Sequence, residues 1–294
     1  FKLDLVTLRS IIAKFNRRAL LKRAERIRPG IDNKIISGWN GLTLTGILEA
    51  YQATGKTNYL KLAKRNYRYI IKNLIINGTL IHIANLSTQG FAEDYAAVIQ
   101  ALIKYYETTF NENALQIAND LTSQMNEQYF DPQEKLFYFT STRAENLIAR
   151  KNDLFDNVIP SSNSMMAENL LKLGLLLDNE SYKKQSLDMV DQVGELIVKE
   201  ISYLSQWASV ANLWVKPIPE IVIFGNDYLK IAKAINALHI PRKVVAASSK
   251  KSDLPLLQNK TAINGKTGIY VCYNKTCKLP VTDLDKALTQ IFSE

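Results

Sequence analysis

Histidine and cysteine are the scarce residues of this 294-residue chain, with two of each. Two cysteines in a chain of this size cannot make a disulfide framework, and that usage favours a reducing cytoplasm. No uninterrupted apolar run reaches the roughly 20 residues that a bilayer-spanning helix needs, and no signal-like segment opens the sequence. A phosphate loop, a nucleotide fingerprint, a Ser-His-Asp arrangement and a metal motif are all missing, so no cofactor or metal is expected. The composition, 47% hydrophobic and 22% charged, is that of a soluble globular protein of one large domain or two smaller ones. The chain begins at Phe1, inside a helical pattern, and reads as a fragment of something longer.

What is present is a repeat. A short polar motif, an apolar helix, a brief turn and a second helix recur along the chain. The copies open at Trp39-Asn40-Gly41-Leu42, at Glu93-Asp94-Tyr95-Ala96 and at Ser161-Ser162-Asn163-Ser164. Their partner helices open alike, at Thr57-Asn58-Tyr59-Leu60, Asn113-Ala114-Leu115 and Asn179-Glu180-Ser181-Tyr182. Stacked helical hairpins are the signature of a solenoid or of a closed αα-toroid. In a toroid the polar motifs, all at the same end of the first helix, would converge around one mouth.

The pattern predicts hairpins over 40–54 and 58–75, 94–109 and 112–128, and 163–177 and 180–200, with another helix near 205–214. The first inner helix, GLTLTGILEAYQATG, is apolar around most of its circumference and is expected to be buried on nearly all sides. INGTLIHIANLSTQG reads as a short hairpin or loop, and KLFYFTST as a strand within a long connection. Before the repeats, Pro29-Gly30 ends a basic helix. Lys14, Arg17, Arg18, Lys22, Arg23, Arg26 and Arg28 concentrate there much of the net charge of +9. Leu5, Leu8, Ile12, Phe15, Leu20 and Leu21 suggest that one face of it packs, leaving a solvated basic face rather than a nucleic-acid surface. After Pro217 and Pro219 the grammar changes. The β-branched runs Glu220–Phe224 and Lys243–Ala247 flank a helix at 226–238, suggesting a βαβ-like unit. Gly268–Tyr273 is a further strand, and Asp283–Phe292 a closing helix. The expected fold is therefore mainly α, an αα-hairpin array over 1–216 with a small α/β subdomain over 217–294.

RIRPGIDNKIISGWNGL, GFAEDYAAVIQALIKYYE, LIARKNDLFDNVIPSSNS and YVCYNKTC occur in that order. Together they resemble the spermatogenesis-associated, thioredoxin-domain-containing proteins, nearly end to end. The resemblance implies an N-terminal thioredoxin-like domain followed by an (α/α)6 toroid related to N-acylglucosamine 2-epimerases and six-hairpin glycosidases. This chain would be the C-terminal part, with about eight of twelve toroid helices countable. Asn33 stands where the family commonly has Asp, Ser162 where Gly is common, and His82 where Arg is expected.

Each inner helix offers free N–H groups and the positive end of its dipole at the mouth, which suits polar or anionic ligands. Asp94 and Asn163 can cap their helices, or contact a ligand. Trp39 beside Asn40 can stack on a sugar ring and hydrogen-bond its hydroxyls, or fill the toroid axis; Gly41 favours close helix packing. Asp32, Glu93, Asp94, Asp153 and Asp156 are the carboxylates of the motif regions. Two of them facing each other across a glycosidic bond could hydrolyse it, with Glu93, Asp94 and Asp156 as the catalytic candidates. Lys34 and Arg150 would otherwise pair with these acids structurally. Tyr95, Ser161 and Asn163 complete the candidate binding set. An epimerase with two histidines cannot be assembled, because His239 lies in the α/β tail. Cys272 and Cys277 read as two separate thiols, or as a redox pair serving a thioredoxin-like domain.

Two functions follow. One is a carbohydrate-active or carbohydrate-binding toroid. The other is a non-catalytic module that docks the thioredoxin-like domain of the same full-length chain, or a protein partner. No membrane partner is expected, and nucleic acid is the weakest alternative.

Overall fold

Polar residues at the helix starts set the elements. The computed structural model describes residues 3–144 and 149–293. Asp4 accepts from Val6 and Thr7 at the head of α1 (Leu5–Ala24). Asn111 caps α5 (Glu112–Gln128), Ser161 caps α6 (Ser162–Leu176), Asn179 caps α7 (Glu180–Lys199), and Asp283 caps α10 (Leu284–Phe292). Each supplies an acceptor for an N–H that the helix leaves free. Gly55, at φ 66°, ends α2 (Ser37–Thr54) in the left-handed conformation that glycine adopts without strain. The other helices are α3 (Thr57–Asn73), α4 (Ala92–Thr109), α8 (Ser205–Trp214) and α9 (Tyr228–Asn236).

Two compact units divide the chain, Phe1–Lys34 and Ile35–Glu294. In the first, α1 buries none of its residues, so the expected packed face is absent.

In the second unit α2, α4 and α6 lie side by side as inner helices, and α3, α5 and α7 return along the outside. The expected hairpin array is thus present, with α8 following α7. α4 is flanked by inner helices on both sides and is buried around nearly its whole circumference, from Ala92 to Glu107. α2, expected to be similarly enclosed, buries only Ser37, Gly38, Gly41, Leu44 and Leu48, because an inner helix covers one side of it. Gly41 makes that contact possible. A Cβ there would stand 2.6 Å from the Ala97 carbonyl carbon of α4.

The hairpins at the ends of the outer helices are short: β1 (Ile75–Ile76) with β2 (Thr79–Leu80), and β3 (Phe130–Asp131) with β4 (Leu136–Phe137). The strand expected over KLFYFTST is therefore two residues long, and Tyr138, just beyond it, makes an isolated bridge to Asn152. The tail forms a sheet in the order β6-β5-β7-β8, from β5 (Glu220–Phe224), β6 (Val244–Ser248), β7 (Gly268–Tyr273) and β8 (Thr276–Cys277). β5 and β6 run parallel around α9, the βαβ unit read from the sequence, and β7 pairs antiparallel to β5. Val222, Val244, Ala246, Tyr270 and Cys272 turn toward the helical core. Ile221, Ile223, Val245, Ala247 and Val271 turn toward α9 and α10. Cover on both faces explains why these strands are continuously apolar. Of the two alternatives for Cys272 and Cys277, separate thiols are ruled out: the cysteines are joined in a disulfide, because β7–β8 pairing sets them directly opposite one another.

Candidate functional site

The inner helices begin at one end of the second unit, where the segment after β2 crosses the start of α2. The Ser37 N–H donates to the His82 carbonyl at 2.9 Å, and the Ser37 hydroxyl to the Ile81 carbonyl. Asp94, the third residue of α4, ties these pieces together. Its Oδ1 accepts the Gly38 N–H at 2.7 Å, and its Oδ2 accepts the Phe91 N–H at 2.9 Å. His82 Nδ1 lies 2.7 Å from the same Oδ2. Asp94 is fully buried, and burial raises its pKa, with the Phe91 N–H and His82 pulling the other way. With the carboxylate ionised, His82 carries its proton on Nδ1, and Nε2 is the free basic nitrogen. No hydrogen bond to Nε2 is formed among the described residues, and the His82 side chain is 18% exposed. His82 meets Phe91 edge-on at 4.7 Å between ring centroids, and Phe91 stacks on Phe139 at 5.0 Å.

Glu93 projects beside this pair and stays partly exposed. Burial raises its pKa first, followed by the like charges of Asp94 and Asp153, while His82 lowers it. It opens on a cleft of about 430 Å³ whose walls include Phe139, Lys151, Asn152, Asp153 and Phe155. Asn152 Oδ1 is buried there with no hydrogen-bond partner. The cleft thus combines two phenyl rings, an ammonium and two carboxylates.

The remaining predicted residues are occupied elsewhere. Asp153 Oδ2 accepts the Ser162 N–H at 2.8 Å. Asp156 accepts the N–H groups of Ser161 at 2.9 Å and Gln206 at 2.8 Å, and the Ser164 hydroxyl at 3.2 Å. Both therefore secure the head of α6, where Ser161 is the cap. Asn163, buried, clamps Phe137 through its N–H and carbonyl, and also donates to the Asp153 carbonyl. The guanidinium of Arg150 donates to the Thr140 and Gln128 carbonyls and lies 4.2 Å over the Tyr138 ring. It forms no ion pair with the motif carboxylates among the described residues. Tyr95 is buried, with its hydroxyl 3.4 Å from Gln89 and from Gln124. Asn40 donates to the Ile36 carbonyl and accepts from Asn66. Trp39 is 63% exposed and does not line the cleft. Asp32 and Lys34 pair with each other at 3.0 Å in the first unit.

The structure therefore brings Glu93, Asp94 and Asp153 together and adds His82, Phe139, Lys151, Asn152 and Phe155, which the sequence reading had not chosen. Phe139, Lys151, Asn152 and Phe155 lie within the segments KLFYFTST and LIARKNDLFDNVIPSSNS, where nothing in their types or spacing marks them as sharing one cleft. His82 stands out in the sequence only as a departure from the family pattern and as one of two histidines that cannot form an epimerase pair.

No protein-family model matches the chain. A GH76 α-mannanase of Bacteroides thetaiotaomicron has a similar fold, with TM-score 0.51 and 15% identity over 79% of this chain and 66% of that one. An uncharacterized Caenorhabditis elegans protein is 25% identical over 92% of this chain, and human spermatogenesis-associated protein 20 is 25% identical over 96%. The chain spans 39% of the length of each of these two relatives. The resemblance carried by the four motifs thus holds along nearly the whole chain: it is similar to spermatogenesis-associated protein 20, with a helical body of the toroid kind.

Proposed function

We propose that the second unit is a carbohydrate-active or carbohydrate-binding toroid, and that Glu93 exchanges a proton with a ligand seated in the cleft before α4, with His82 next to Glu93 behind the cleft wall. The observation that carries this reading is Glu93 itself. It is a carboxyl group with a raised pKa, open to a cleft of aromatic and polar walls. A carboxyl group whose pKa is raised keeps its proton to higher pH than a free one does, which suits it to donate that proton. His82, oriented through Nδ1 by Asp94, would be the complementary base for a ligand that reaches past Glu93 to its Nε2. One acid and one base of different type meet the need that two histidines would otherwise fill. Phe139 and Phe155 offer faces for a sugar ring. Asp94 is then a positioning residue, and Asp156, Asn163 and Arg150 hold the walls. The α-mannanase likeness supports the scaffold only, since one fold hosts many activities.

A thermal-shift screen against neutral sugars, sugar phosphates and uronic acids tests the reading, because a ligand of the native state raises the melting temperature by mass action. The expected result is a shift with a sugar that Phe155→Ala abolishes, and that Glu93→Gln retains while losing any turnover. No shift with any sugar would overturn it.

A second reading has its own support. Asp94, Asp156 and Asn163 have their hydrogen-bonding groups occupied within the fold. That suits a non-catalytic module docking a thioredoxin-like domain or another protein, with exposed Phe155 at the contact. It predicts protein binding sensitive to Phe155→Ala and indifferent to Glu93→Gln.

A further inference from the structure

The cysteine pair lies outside that site, in the hairpin of β7 and β8. The hairpin has its own reasons to form. Its turn residues Asn274 and Lys275 both have positive φ, 48° and 68°, the conformation of the tight turn that matches strand twist. Lys275 also pairs with Asp178 at 2.7 Å and with Glu180 at 3.1 Å, fixing the turn to the loop between α6 and α7. A cross-link closing so short a loop constrains the unfolded chain least. The bond therefore adds less stability than a disulfide closing a long loop would, and the turn and its ion pairs also hold the hairpin.

Both cysteines line a groove of about 130 Å³ with Pro255, Leu256 and Lys260. Cys272 is 2% exposed and faces the helical core, whereas Cys277 is half-buried. Lys260 Nζ stands 3.3 Å from Cys277 Sγ and 5.1 Å from the Tyr270 ring centroid. The other charged groups on the groove are Lys183, Lys275, Asp178 and Glu220. A cation beside a sulfur stabilises its thiolate, the form that attacks and leaves in exchange.

We propose that Cys272–Cys277 is a thiol–disulfide exchange site for a dithiol, with Cys277 as the exchanging sulfur and Lys260 as the group that stabilises its thiolate. The incoming thiolate attacks Cys277 Sγ. The S–S bond breaks, and its electron pair stays on Cys272 Sγ, which takes up a proton. The second thiolate of the reagent then attacks its own sulfur in the mixed disulfide and releases Cys277 as a thiolate beside Lys260, which is protonated from solvent. The dithiol leaves as a disulfide, and the chain gains two electrons and two protons.

The test equilibrates the whole chain in buffers of reduced and oxidised dithiothreitol, traps free thiols with iodoacetamide, and follows the fold by circular dichroism. The expected result is reversible two-electron reduction with the spectrum unchanged. In the reduced chain Cys277 should alkylate first, and Lys260→Gln should slow that reaction at neutral pH by about threefold or more. Cys272→Ser should form a mixed disulfide with glutathione, and Cys277→Ser should leave Cys272 unlabelled until denaturant is added. Resistance of the native chain to reduction, or alkylation unaffected by Lys260→Gln, would overturn the proposal. Because none of these readouts involves the cleft before α4, they are independent of any sugar binding there.

Discussion

Replacing Asp94 by asparagine separates a positioning role from a catalytic one. The carboxylate accepts three hydrogen bonds, from Gly38 N–H, Phe91 N–H and His82 Nδ1, across three chain segments with no solvent access. Asparagine keeps one oxygen and substitutes an NH2 for the other. If the NH2 takes the Oδ1 position, the Gly38 N–H loses its acceptor. If it takes the Oδ2 position, the Phe91 N–H does, although His82 can shift its proton to Nε2 and accept from the amide. Either way one buried N–H is orphaned, at about 1–3 kcal/mol, and the surviving bonds lose the assistance of charge. The sum is about 2–4 kcal/mol. In a domain of this size that lowers the melting temperature by roughly 5–10 °C. Urea unfolding of the wild type and Asp94→Asn, followed by tryptophan fluorescence, gives the stability difference. Asp94→Ala, which orphans both N–H groups, should be worse. A loss below about 0.5 kcal/mol, accompanied by loss of sugar binding or turnover, would refute the positioning role and restore Asp94 as a reacting group.

Other consequences are as direct. Gly41→Ala should cost at least about 1–3 kcal/mol, since its Cβ meets α4 backbone that cannot move aside; an unchanged urea midpoint would show that α2 and α4 are less closely seated. Lys243, whose pKa burial lowers to about 8, binds its proton less tightly folded than unfolded, so folding stability should rise as pH increases from about 8 toward 10. The gain, about 1–2 kcal/mol after solvent screening, should be missing from Lys243→Met in paired urea titrations. Glu93 has the opposite sense. Its raised pKa means that the protonated form, and any ligand binding or turnover that needs it, is lost as pH climbs through that value. Glu93→Gln should bind sugar with a flat pH profile across that range, and a profile parallel to the wild type would assign the titration to another group.

The hairpin array was legible because its signals are local. Asn111, Ser161, Asn179 and Asp283 act within three residues of themselves, and helical periodicity is written in each segment. The βαβ tail was legible for the same reason, through its apolar runs. The enclosure of α2 was not, because its apolar circumference reports what the helix tolerates and not what lies beside it. The cysteine bond depended on strand register, which places residues 272 and 277 opposite each other and which spacing alone does not specify.

The site shows the sharper limit. At the mouth of a helical toroid the residue types that cap helices are also those that bind polar ligands, so type alone cannot choose between the roles. Counting where each lone pair and N–H goes does choose. Asp156 and Asn163 have their polar atoms bonded to backbone or to neighbouring hydroxyls, and Asp94 to backbone and one imidazole. What is left over is the partly exposed Glu93, the second nitrogen of His82 and Asn152 Oδ1. His82 was undervalued because a histidine gains its meaning from the acceptor that fixes its tautomer. That acceptor lies twelve positions away on a different element. The same buried carboxylate that is one of the three catalytic candidates holds His82 by its Nδ1, so on the proposed reading the Asp94→Asn and Glu93→Gln variants should fail in different ways: the first in stability, the second in proton transfer.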